Sequence, residues 1–405
     1  MSKANVITAL EIGRRKLRMV ALEGAQGDNL LGALEVDCSD GVKNGKIINL
    51  DSVTEAIIKL VEDINQKTSK KINSAFVNIS GLNIKQETAN PVLTLPQRGC
   101  EISKRNINDL VESCKIVSVP LDRYLLYLLP LEYIIDGQGD IKEPIGLCGT
   151  RLEAKVLMIT APFNQVQNII KAVNSAGLEV EEVLLTPLAN SNSLLDLEEK
   201  REGVLLIDLK TDLTEVSIFK RGSLIFFETI SKGQEDVTNG IASEFKIPFE
   251  VAEELKIKYG FLDNLKQDVR NQETIPLEWG GRNRYILRGE LNKIISKETD
   301  LVFDLIIEKL KGLKNLNNII KRGAVLSGGC TSMDGFLEGA AQKLGLTVRA
   351  GFLKWDTGHL GDGYITSAGL AKYGLEKRLK SKLRPQGGFF RRLYQKADDL
   401  LTEYF

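Results

Sequence analysis

Residues 203–227 read GVLLIDLKTDLTEVSIFKRGSLIFF, and this stretch decides the fold class. Residues 204–207 are continuously apolar, which is typical of a strand buried on both faces of its sheet. TEVSIF and SLIFF follow as two further strands, and Arg221 and Gly222 between them supply the tight turn of a β-hairpin. The stretch therefore predicts three adjacent strands, with a polar bend after the first.

Asp208 stands where the first of these strands ends, and it is a candidate site residue. Many folds that handle phosphate groups place a carboxylate at such a point, where it holds a water molecule bound to a metal ion. An exposed turn with a capping aspartate is the simpler interpretation of this stretch by itself. The same pattern occurs a second time in the chain, and this favours the phosphate-handling interpretation over the exposed turn.

The N-terminus repeats the order of strand, acidic residue and turn. Residues 6–10 predict a strand, residues 11–16 (EIGRRK) predict a turn, and residues 17–21 alternate as a returning strand. Two such hairpins, one in each half of the chain, predict a duplicated fold with a ligand cleft between the halves.

Composition describes an ordinary globular protein. The 405 residues are enough for two or more domains, and 43% apolar with 27% charged residues allows a large core. Lys and Arg (54) balance Asp and Glu (54), so charge gives no argument for nucleic acid as a partner. No stretch approaches the ~20 apolar residues that span a membrane, and the N-terminus lacks the layout of a signal peptide.

The number and spacing of cysteine and histidine residues argue against several kinds of metal and catalytic site. The five cysteines have no paired spacing, which argues against a zinc site and for a reducing cytoplasm. With one histidine, histidine-based metal sites and catalytic triads are nearly excluded. We predict Cys330 to be a small core residue, His359 a surface-loop residue, and Trp279 and Trp355 packing residues.

Helical periodicity and strand-like runs fill the rest of the chain. Helices are predicted at 51–65, 103–118, 164–177, 233–245, 248–259 and 291–313, the first of them capped by Asp51 or Ser52. Strands are predicted at 75–80, 124–135, 152–160 and 180–186. The pattern of elements changes between about 81 and 162, where one helix precedes two strands separated by a Gly/Pro-rich loop, and this predicts a small inserted domain.

Residues 324–335 (AVLSGGCTSMDG) predict a strand, a double glycine and a helix starting near Asp334. At such a point the backbone can approach a phosphate or an adenine.

The C-terminal segment is predicted to leave the globular body. Residues 377–386 are basic and polar and predict a linker. Residues 387–405 (GGFFRRLYQKADDLLTEYF) predict an amphipathic helix on a membrane surface, with docking on the protein's own core as the alternative. The predicted membrane-binding residues are Phe389, Phe390, Arg391, Arg392, Leu393, Leu400, Leu401 and Tyr404.

Several motifs together resemble the FtsA family of bacterial cell-division proteins, which are actin-like. LEIGRRK (10–16) and IDLKTDLTEVSIF (207–219) are similar to its two phosphate loops, VLSGGCTSMDGF (325–336) to its adenosine loop, and EELKIKYG (253–260) to its ribose-contacting helix. EPIGLCGTRLEAKV (143–156), VTNGIA (237–242) and GGRNRYILR (280–288) are more specific to this family than to actin-like proteins at large. The resemblance implies an α/β fold of two actin-like lobes, a ribonuclease H-like duplication, with an inserted small α+β domain and a C-terminal amphipathic helix.

The resemblance also implies the division of the chain into domains. Residues 1–80, 161–195 and 355–376 would form the core of the first lobe, with residues 81–160 as the insert. Residues 196–245 and 317–354 would form the core of the second lobe, and residues 246–316 its upper subdomain. The linker and the terminal helix complete the chain.

ATP with Mg²⁺ is the cofactor that the resemblance implies. The residues that match the family's cofactor contacts are Gly13, Lys16, Asp208, Thr214, Glu253, Lys256, Gly328 and Gly329. Asp208 is the candidate metal-water carboxylate, and no residue is assigned as a metal ligand. The chain departs from the family where Lys210, Thr211 and Asp212 replace the glycines of the second loop, since their side chains obstruct a phosphate. Arg14 and Arg15 of the first loop are either extra phosphate clamps or bulk that fills the site. We expect weakened nucleotide handling, with hydrolysis weak or absent.

The function implied is a structural adaptor for cell division. Such a protein polymerises with itself on the cytoplasmic face of the inner membrane at the division site, tethers the tubulin-like protein FtsZ and recruits later division proteins. Arg284 and Arg288 are candidate contacts for the acidic FtsZ tail, with ordinary solvated surface as the alternative. An actin-like assembly platform of another envelope machine and a sugar-kinase-type enzyme are the competing functions. The terminal helix counts against both, and the altered second loop against the kinase.

Overall fold

The structure is a computed structural model that describes residues 6–23, 29–96, 99–262, 269–279, 282–354 and 360–382. The predictions for the terminal helix at 387–405, for His359 and for Trp355 lie outside the described residues. None of the described helices combines the length and the apolar character needed to cross a membrane.

The described elements alternate strands and helices along the chain. Residues 6–79 form β1 (Val6–Ile12), β2 (Lys16–Glu23), β3 (Asn29–Asp37), β4 (Val42–Lys43), β5 (Lys46–Ile47), α1 (Leu50–Thr68) and β6 (Ser74–Ile79). Residues 85–162 form β7 (Lys85–Ala89), β8 (Val92–Thr94), β9 (Cys100–Glu101), α2 (Lys104–Ser118), β10 (Arg123–Ile135), β11 (Gln138–Ile141), β12 (Cys148–Gly149) and β13 (Arg151–Pro162).

The second half of the chain continues in the same way. Residues 163–230 form α3 (Phe163–Ser175), β14 (Glu179–Leu185), α4 (Thr186–Leu194), α5 (Leu197–Glu202), β15 (Val204–Leu209), β16 (Thr214–Lys220) and β17 (Ser223–Ile230). Residues 234–382 form α6 (Gln234–Phe245), α7 (Phe249–Tyr259), β18 (Thr274–Trp279), β19 (Arg282–Leu287), α8 (Arg288–Leu310), α9 (Leu316–Ile319), β20 (Ala324–Ser327), α10 (Phe336–Leu344), β21 (Val348–Ala350) and α11 (Ile365–Lys382).

Two sheets of the same topology form the centres of two lobes. In lobe 1 the strand order is β14-β6-β1-β2-β3, and in lobe 2 it is β21-β20-β15-β16-β17. In each lobe, three consecutive strands run antiparallel and two further strands pair in parallel beside the first of them. The predicted duplication and the predicted hairpin with its turn at Arg221 and Gly222 are confirmed.

Successive side chains of β1 point to opposite faces of the lobe 1 sheet, and each face packs against its own helix. Leu10 packs in the cluster that contains α1, whereas Ala9 packs in the cluster on the other face, with Leu370 of α11. The helix predicted at 51–65 is α1, but the prediction of its cap was wrong. Asn49 caps it by accepting a hydrogen bond from the Ser52 amide at 3.1 Å, so the helix begins at Leu50.

The insert is a separate small sheet with one helix. Its strand order is β11-β10-β13-β7, with β8 also paired to β13, and α2 packs on it through a cluster of its own. Ser103 and Asn106 form a capping box at the start of α2. The insert also contacts lobe 2, because the Phe227 amide donates to Gln86 Oε1 at 2.9 Å and Arg221 Nη2 lies 2.7 Å from Asp140 Oδ1.

Two predictions at the surface differ from the structure. Trp279 ends β18 and is 51% exposed, so it does not pack in the core. The linker predicted at 377–386 is helical as far as Lys382, because α11 continues through it. Two cations of this segment explain why it stays helical. Arg378 Nη2 lies 2.6 Å from Glu181 Oε1, and Lys377 pairs with Glu182. These ion pairs hold the last turns of α11 on the edge of lobe 1.

Candidate functional site

The main polar cleft lies between the lobes, where the turns after β1 and β15 approach each other. Its volume is about 490 Å³, within the roughly 300–1,000 Å³ of small-molecule sites. A smaller cavity of about 340 Å³ lies between the insert and lobe 1, and none of the predicted site residues lines it. The residues that line the cleft include Glu11, Gly13, Arg14, Arg15, Lys16, Asn78, Ser80, Asp208, Lys210, Asp212, Gln234, Gly328 and Gly329.

The first loop approaches the cleft with its backbone. A Cβ atom on Gly13 would lie 2.6 Å from the carbonyl oxygen of Lys16, so the tight turn requires glycine there. The Lys16 ammonium is paired with Glu35 and not with a cleft residue. Arg15 reaches across to lobe 2, where its Nε lies 3.0 Å from Glu235 Oε1 and its guanidinium covers the Phe249 ring at 4.7 Å. This loop therefore connects the lobes as well as lining the cleft.

The second loop is a closed turn that is anchored on α6. The Lys210 amide donates to Leu213 O at 3.0 Å, and the carbonyl groups of Lys210 and Thr211 accept from the amides of Gln234 and Glu235 at 2.9 and 2.7 Å. The first amide groups of α6, which could have held an anion, are thus used inside lobe 2.

Asp212 lines the cleft and is held there by groups of lobe 1. Its carboxylate accepts from the Asn44 amide and lies 3.7 Å from Arg14 Nε. Burial raises the pKa of Asp212, while the Asn44 hydrogen bond and the Arg14 charge act in the opposite direction. The residue that we expected to repel a phosphate therefore serves as a contact between the lobes.

Asp208 is buried, and both of its carboxylate oxygens are engaged. Oδ2 accepts from Asn190 Nδ2 and Oδ1 from Ser327 Oγ, each at 2.8 Å. Ser327 ends β20, which pairs with β15 in a register that sets it beside Asp208. In the sequence, its position directly before the double glycine is the signal that could have found it. Asn190 lies in α4 and comes from lobe 1, and we did not identify it from the sequence.

Lys210 lies beside Asp208 and pairs with a second carboxylate. Its Nζ is 2.7 Å from Glu215 Oε2, 3.0 Å from Ser80 Oγ and 3.9 Å from Asp208 Oδ2. Burial disfavours the charged ammonium, but the carboxylates of Glu215 and Asp208 outweigh it and raise the pKa of Lys210. Burial raises the pKa of Glu215, and the Lys210 charge opposes that effect. A protein cation therefore occupies the bend of the second loop.

Glu11 lies next to the last residue of β1, on the opposite wall of the cleft. Its Oε1 lies 3.5 Å from Arg18 Nη1, and its Oε2 is buried without a hydrogen-bond partner. Burial raises the pKa of this carboxyl, and the charges of Arg18 and Lys210 oppose the effect. Glu11 is therefore a buried carboxylate that costs the fold some stability.

Replacing Glu11 by glutamine is expected to stabilise the protein at neutral pH. A carboxyl whose folded pKa is raised contributes stability below its unfolded pKa and loses it as pH rises through the folded pKa. The neutral amide removes that loss, so we expect a gain of about 1 kcal/mol at pH near 7 and little change below pH about 4. Thermal unfolding at the two pH values measures this.

Glu35→Gln is the matched control for that variant. Glu35 pairs with Lys16 and Arg18, and the hydrogen bond from Lys16 first of all lowers its pKa, so its contribution is present at neutral pH and is lost in acid. The control should lower the unfolding temperature at neutral pH. A lower unfolding temperature for Glu11→Gln as well would contradict our interpretation of Glu11.

The double glycine closes the lobe 2 side of the cleft. Gly328 has a φ of +115°, and a Cβ atom there would overlap the carbonyl oxygen of Leu209. A Cβ on Gly329 would lie 3.0 Å from Gln234 Oε1. The helix expected near Asp334 begins as a short 3₁₀ turn at Gly329 and as α10 at Phe336. Gln234 is a cleft residue that sequence reasoning missed, although it opens a helix directly after Gly233.

Three of the predicted cofactor contacts lie behind the cleft wall. Thr214 is fully buried and donates to Lys232 O at 2.7 Å. Glu253 and Lys256 form an ion pair of 2.7 Å, and Lys256 Nζ also bonds Thr238 Oγ1 at 2.7 Å. None of the three lines the cleft, and their role in binding stays a prediction. Cys330 is buried, as predicted, and burial raises its pKa to about 11.

The two predicted partner contacts differ in their surroundings. Arg284 is on the exposed side of β19 and donates to Phe245 O. Arg288 is only 16% exposed, because its side chain bonds Tyr259 O at 2.8 Å, pairs with Glu273 at 2.6 Å and stacks on Phe261. Arg284 is therefore available to a partner, whereas Arg288 holds its own subdomain together.

The cleft fits an anionic ligand better than it fits a metal ion. The backbone at Gly13, Gly328 and Gly329 lies in its lining, and basic side chains line the walls. The carboxylates are less suitable for a metal ion, since Asp208 has both oxygens hydrogen-bonded and Lys210 lies beside it. Among the described residues, no group of three or more His, Cys, Asp and Glu is arranged to hold a metal ion.

Comparison with known proteins identifies the family. The family model "SHS2 domain inserted in FTSA" matches residues 81–160, and the model "Cell division protein FtsA" matches residues 205–369. The cell division protein FtsA of Pseudomonas aeruginosa is 32% identical over 388 residues, which cover 93% of this chain and 91% of that protein. This chain belongs to the FtsA family. The FtsA of Borreliella burgdorferi is 30% identical over 387 residues, covering 94% and 93%.

Solved structures agree on the fold of this FtsA-family chain. The PilM–PilN type IV pilus biogenesis complex matches with a TM-score of 0.64 at 15% identity, covering 91% of this chain and 98% of that chain. MreB 5 of Spiroplasma citri bound to AMPPNP matches with a TM-score of 0.56 at 12% identity, covering 94% and 98%. The predicted two-lobed actin-like fold with an inserted small domain is confirmed. Membership of the FtsA family gives the chain a role in cell division.

Proposed function

We propose that this protein is a membrane-bound scaffold of the division machinery. It polymerises on the cytoplasmic face of the inner membrane at the division site, tethers FtsZ through the FtsZ C-terminal tail and recruits later division proteins. The single observation that supports this most strongly is similarity to FtsA proteins along nearly the whole chain, through both lobes and the insert. The amphipathic pattern of residues 387–405 supplies the membrane contact.

Removal of residues 387–405 is expected to abolish binding to anionic vesicles. Half-burial of the large apolar side chains in this segment contributes several kcal/mol, at about 1.5–3 kcal/mol for each one fully buried. Basic residues beside the stripe add attraction to anionic lipid. Co-sedimentation with anionic vesicles measures the effect. Equal sedimentation of the full and the shortened chain would overturn the membrane assignment.

The tethering role is tested by recruiting FtsZ to the same vesicles. The full chain should bring FtsZ into the pellet, and Arg284→Glu should reduce that recruitment without reducing vesicle binding, because it reverses an exposed charge expected to meet an acidic tail. Lys142→Glu, on the exposed surface of the insert, is the matched charge reversal and should have no effect. Failure of the full chain to recruit FtsZ would overturn the proposal.

We also propose the cleft between the lobes as a nucleotide site, with ATP as the ligand. The backbone at Gly13, Gly328 and Gly329 lines the cleft and would contact the phosphates, and Lys210 and Arg14 would supply positive charge. Turnover of ATP would be weak or absent, since Asp208 is engaged by Asn190 and Ser327. The magnesium ion expected beside ATP stays a prediction that these carboxylates do not support.

A further inference from the structure

The ammonium group of Lys210 is enclosed by the acidic groups of the cleft. Glu215 Oε2 lies 2.7 Å from it and Asp208 Oδ2 3.9 Å. The Glu215 side chain is 0% exposed and that of Lys210 22%. A buried carboxylate requires a partner of opposite charge, and here that partner comes from the bend itself.

The carboxylates around Lys210 come from three strands. Glu11 lies in β1 of lobe 1, Asp208 in β15 and Glu215 in β16 of lobe 2. In a nucleotide cleft, such carboxylates are the groups that hold Mg²⁺, either directly or through its water molecules. An ammonium and a divalent cation at the centre of one small carboxylate group would repel each other.

Each oxygen of Asp208 and Glu215 already has a polar partner within the protein. Asp208 accepts from Asn190 and Ser327, and Glu215 Oε1 accepts from Ser80 Oγ at 2.8 Å. Within this group of three, only Glu11 Oε2 has neither a hydrogen bond nor an ion pair. Magnesium demands near-octahedral oxygen coordination, and oxygens that already have protein donors beside them are poorly placed to supply it.

We propose that Lys210 takes the place of a divalent metal ion in this cleft, so that a nucleotide phosphate is bound by protein charge alone and its affinity is independent of magnesium. This inference rests on the proposed nucleotide site. It concerns a side chain of this chain's own second loop, which fills the space between the carboxylates.

The first measurement is the affinity of the full chain for ATP with Mg²⁺ and with excess EDTA. Wild-type affinity should be the same in both within about twofold, whereas Lys210→Ala should bind about tenfold more tightly with Mg²⁺ than with EDTA, because the vacated carboxylates can then hold the ion. A tenfold loss of wild-type affinity in EDTA would overturn the inference. If Lys210→Ala does not fold, the comparison of wild-type ATP affinity with Mg²⁺ and with EDTA tests the inference by itself.

A matched control lies outside the cleft. Lys343 Nζ is 3.0 Å from Asp300 Oδ1 and 3.8 Å from Asp304 Oδ1, so it too is a lysine between two carboxylates. Lys343→Ala should show the same magnesium independence as the wild type. Magnesium dependence in this variant as well would contradict a special role for Lys210.

A second measurement needs no nucleotide. Electron paramagnetic resonance of Mn²⁺ added to the protein alone should show no ion retained by the wild type and one retained by Lys210→Ala. Stoichiometric Mn²⁺ on the wild type would overturn the inference about Lys210 even where ATP binds. Absence of ATP binding in either buffer would overturn the nucleotide site, while Mn²⁺ missing from the wild type would still support Lys210 as the resident cation.

Discussion

Lys210→Met is expected to lower the free energy of unfolding by about 3–5 kcal/mol, since it leaves the carboxylate of Glu215 buried without a counter-charge. Glu215 is inaccessible to solvent, and its other polar contact is the Ser80 hydroxyl at 2.8 Å, which cannot neutralise it. Urea denaturation followed by circular dichroism measures the change. This is the largest effect that we expect from a single side chain lining the cleft.

The double variant Lys210→Met with Glu215→Gln is the control for that loss. The amide oxygen of glutamine can still accept from Ser80, and no charge remains to be paired. We expect the double variant to recover most of the stability, to within about 1–2 kcal/mol of the wild type. Equal destabilisation of the single and double variants would show that Lys210 acts through packing and not through its charge.

Gly369→Ala is expected to destabilise the protein by about 2–3 kcal/mol, because an added methyl group there overfills a close helix crossing. Gly369 lies in α11, and a Cβ atom on it would overlap the carbonyl oxygen of Ala189 in the backbone of α4. Alanine is the better helix former by about 0.5–1 kcal/mol, so a net loss must come from this contact. Thermal unfolding measures it.

Gly361→Ala is the matched control for the crossing. Gly361 lies just before α11 and is exposed, and a Cβ atom on it would meet no atom within 4 Å. The control should unfold at the wild-type temperature. A wild-type unfolding temperature for Gly369→Ala would mean that α4 and α11 can separate at little cost.

Local patterns predicted most of the fold. The hairpin at 203–227 and helix α1 follow from apolar periodicity and turn residues that lie close together in the sequence, and the structure has both. The boundaries of α11 were not predictable in this way, because its last turns are held by Glu181 and Glu182 from a distant strand. Ion pairs between residues so far apart in the sequence produce no periodic pattern from which a helix boundary could be predicted.

The cleft was predictable in its location but not in its chemistry. The two hairpins placed Glu11 and Asp208 at facing turns. The resemblance indicated that Lys210 stands in place of a glycine, but not that its ammonium would reach Glu215 within the same hairpin. Nor could it show Asn190 on Asp208, since that hydrogen bond joins residues of different lobes. Side-chain partners of this kind depend on tertiary packing.

The contact of the insert with β17 has a consequence for the behaviour of the protein in a crowded cell. β17 is an edge strand of the lobe 2 sheet, and a bare edge is a template on which another chain can add a strand. Gln86 accepts from the Phe227 amide of that strand, and Leu224 and Phe227 share a hydrophobic cluster with Tyr127 of the insert. The insert thereby covers part of the β17 edge and opposes aggregation through it. During synthesis the insert is made before β17, the strand that it will cover.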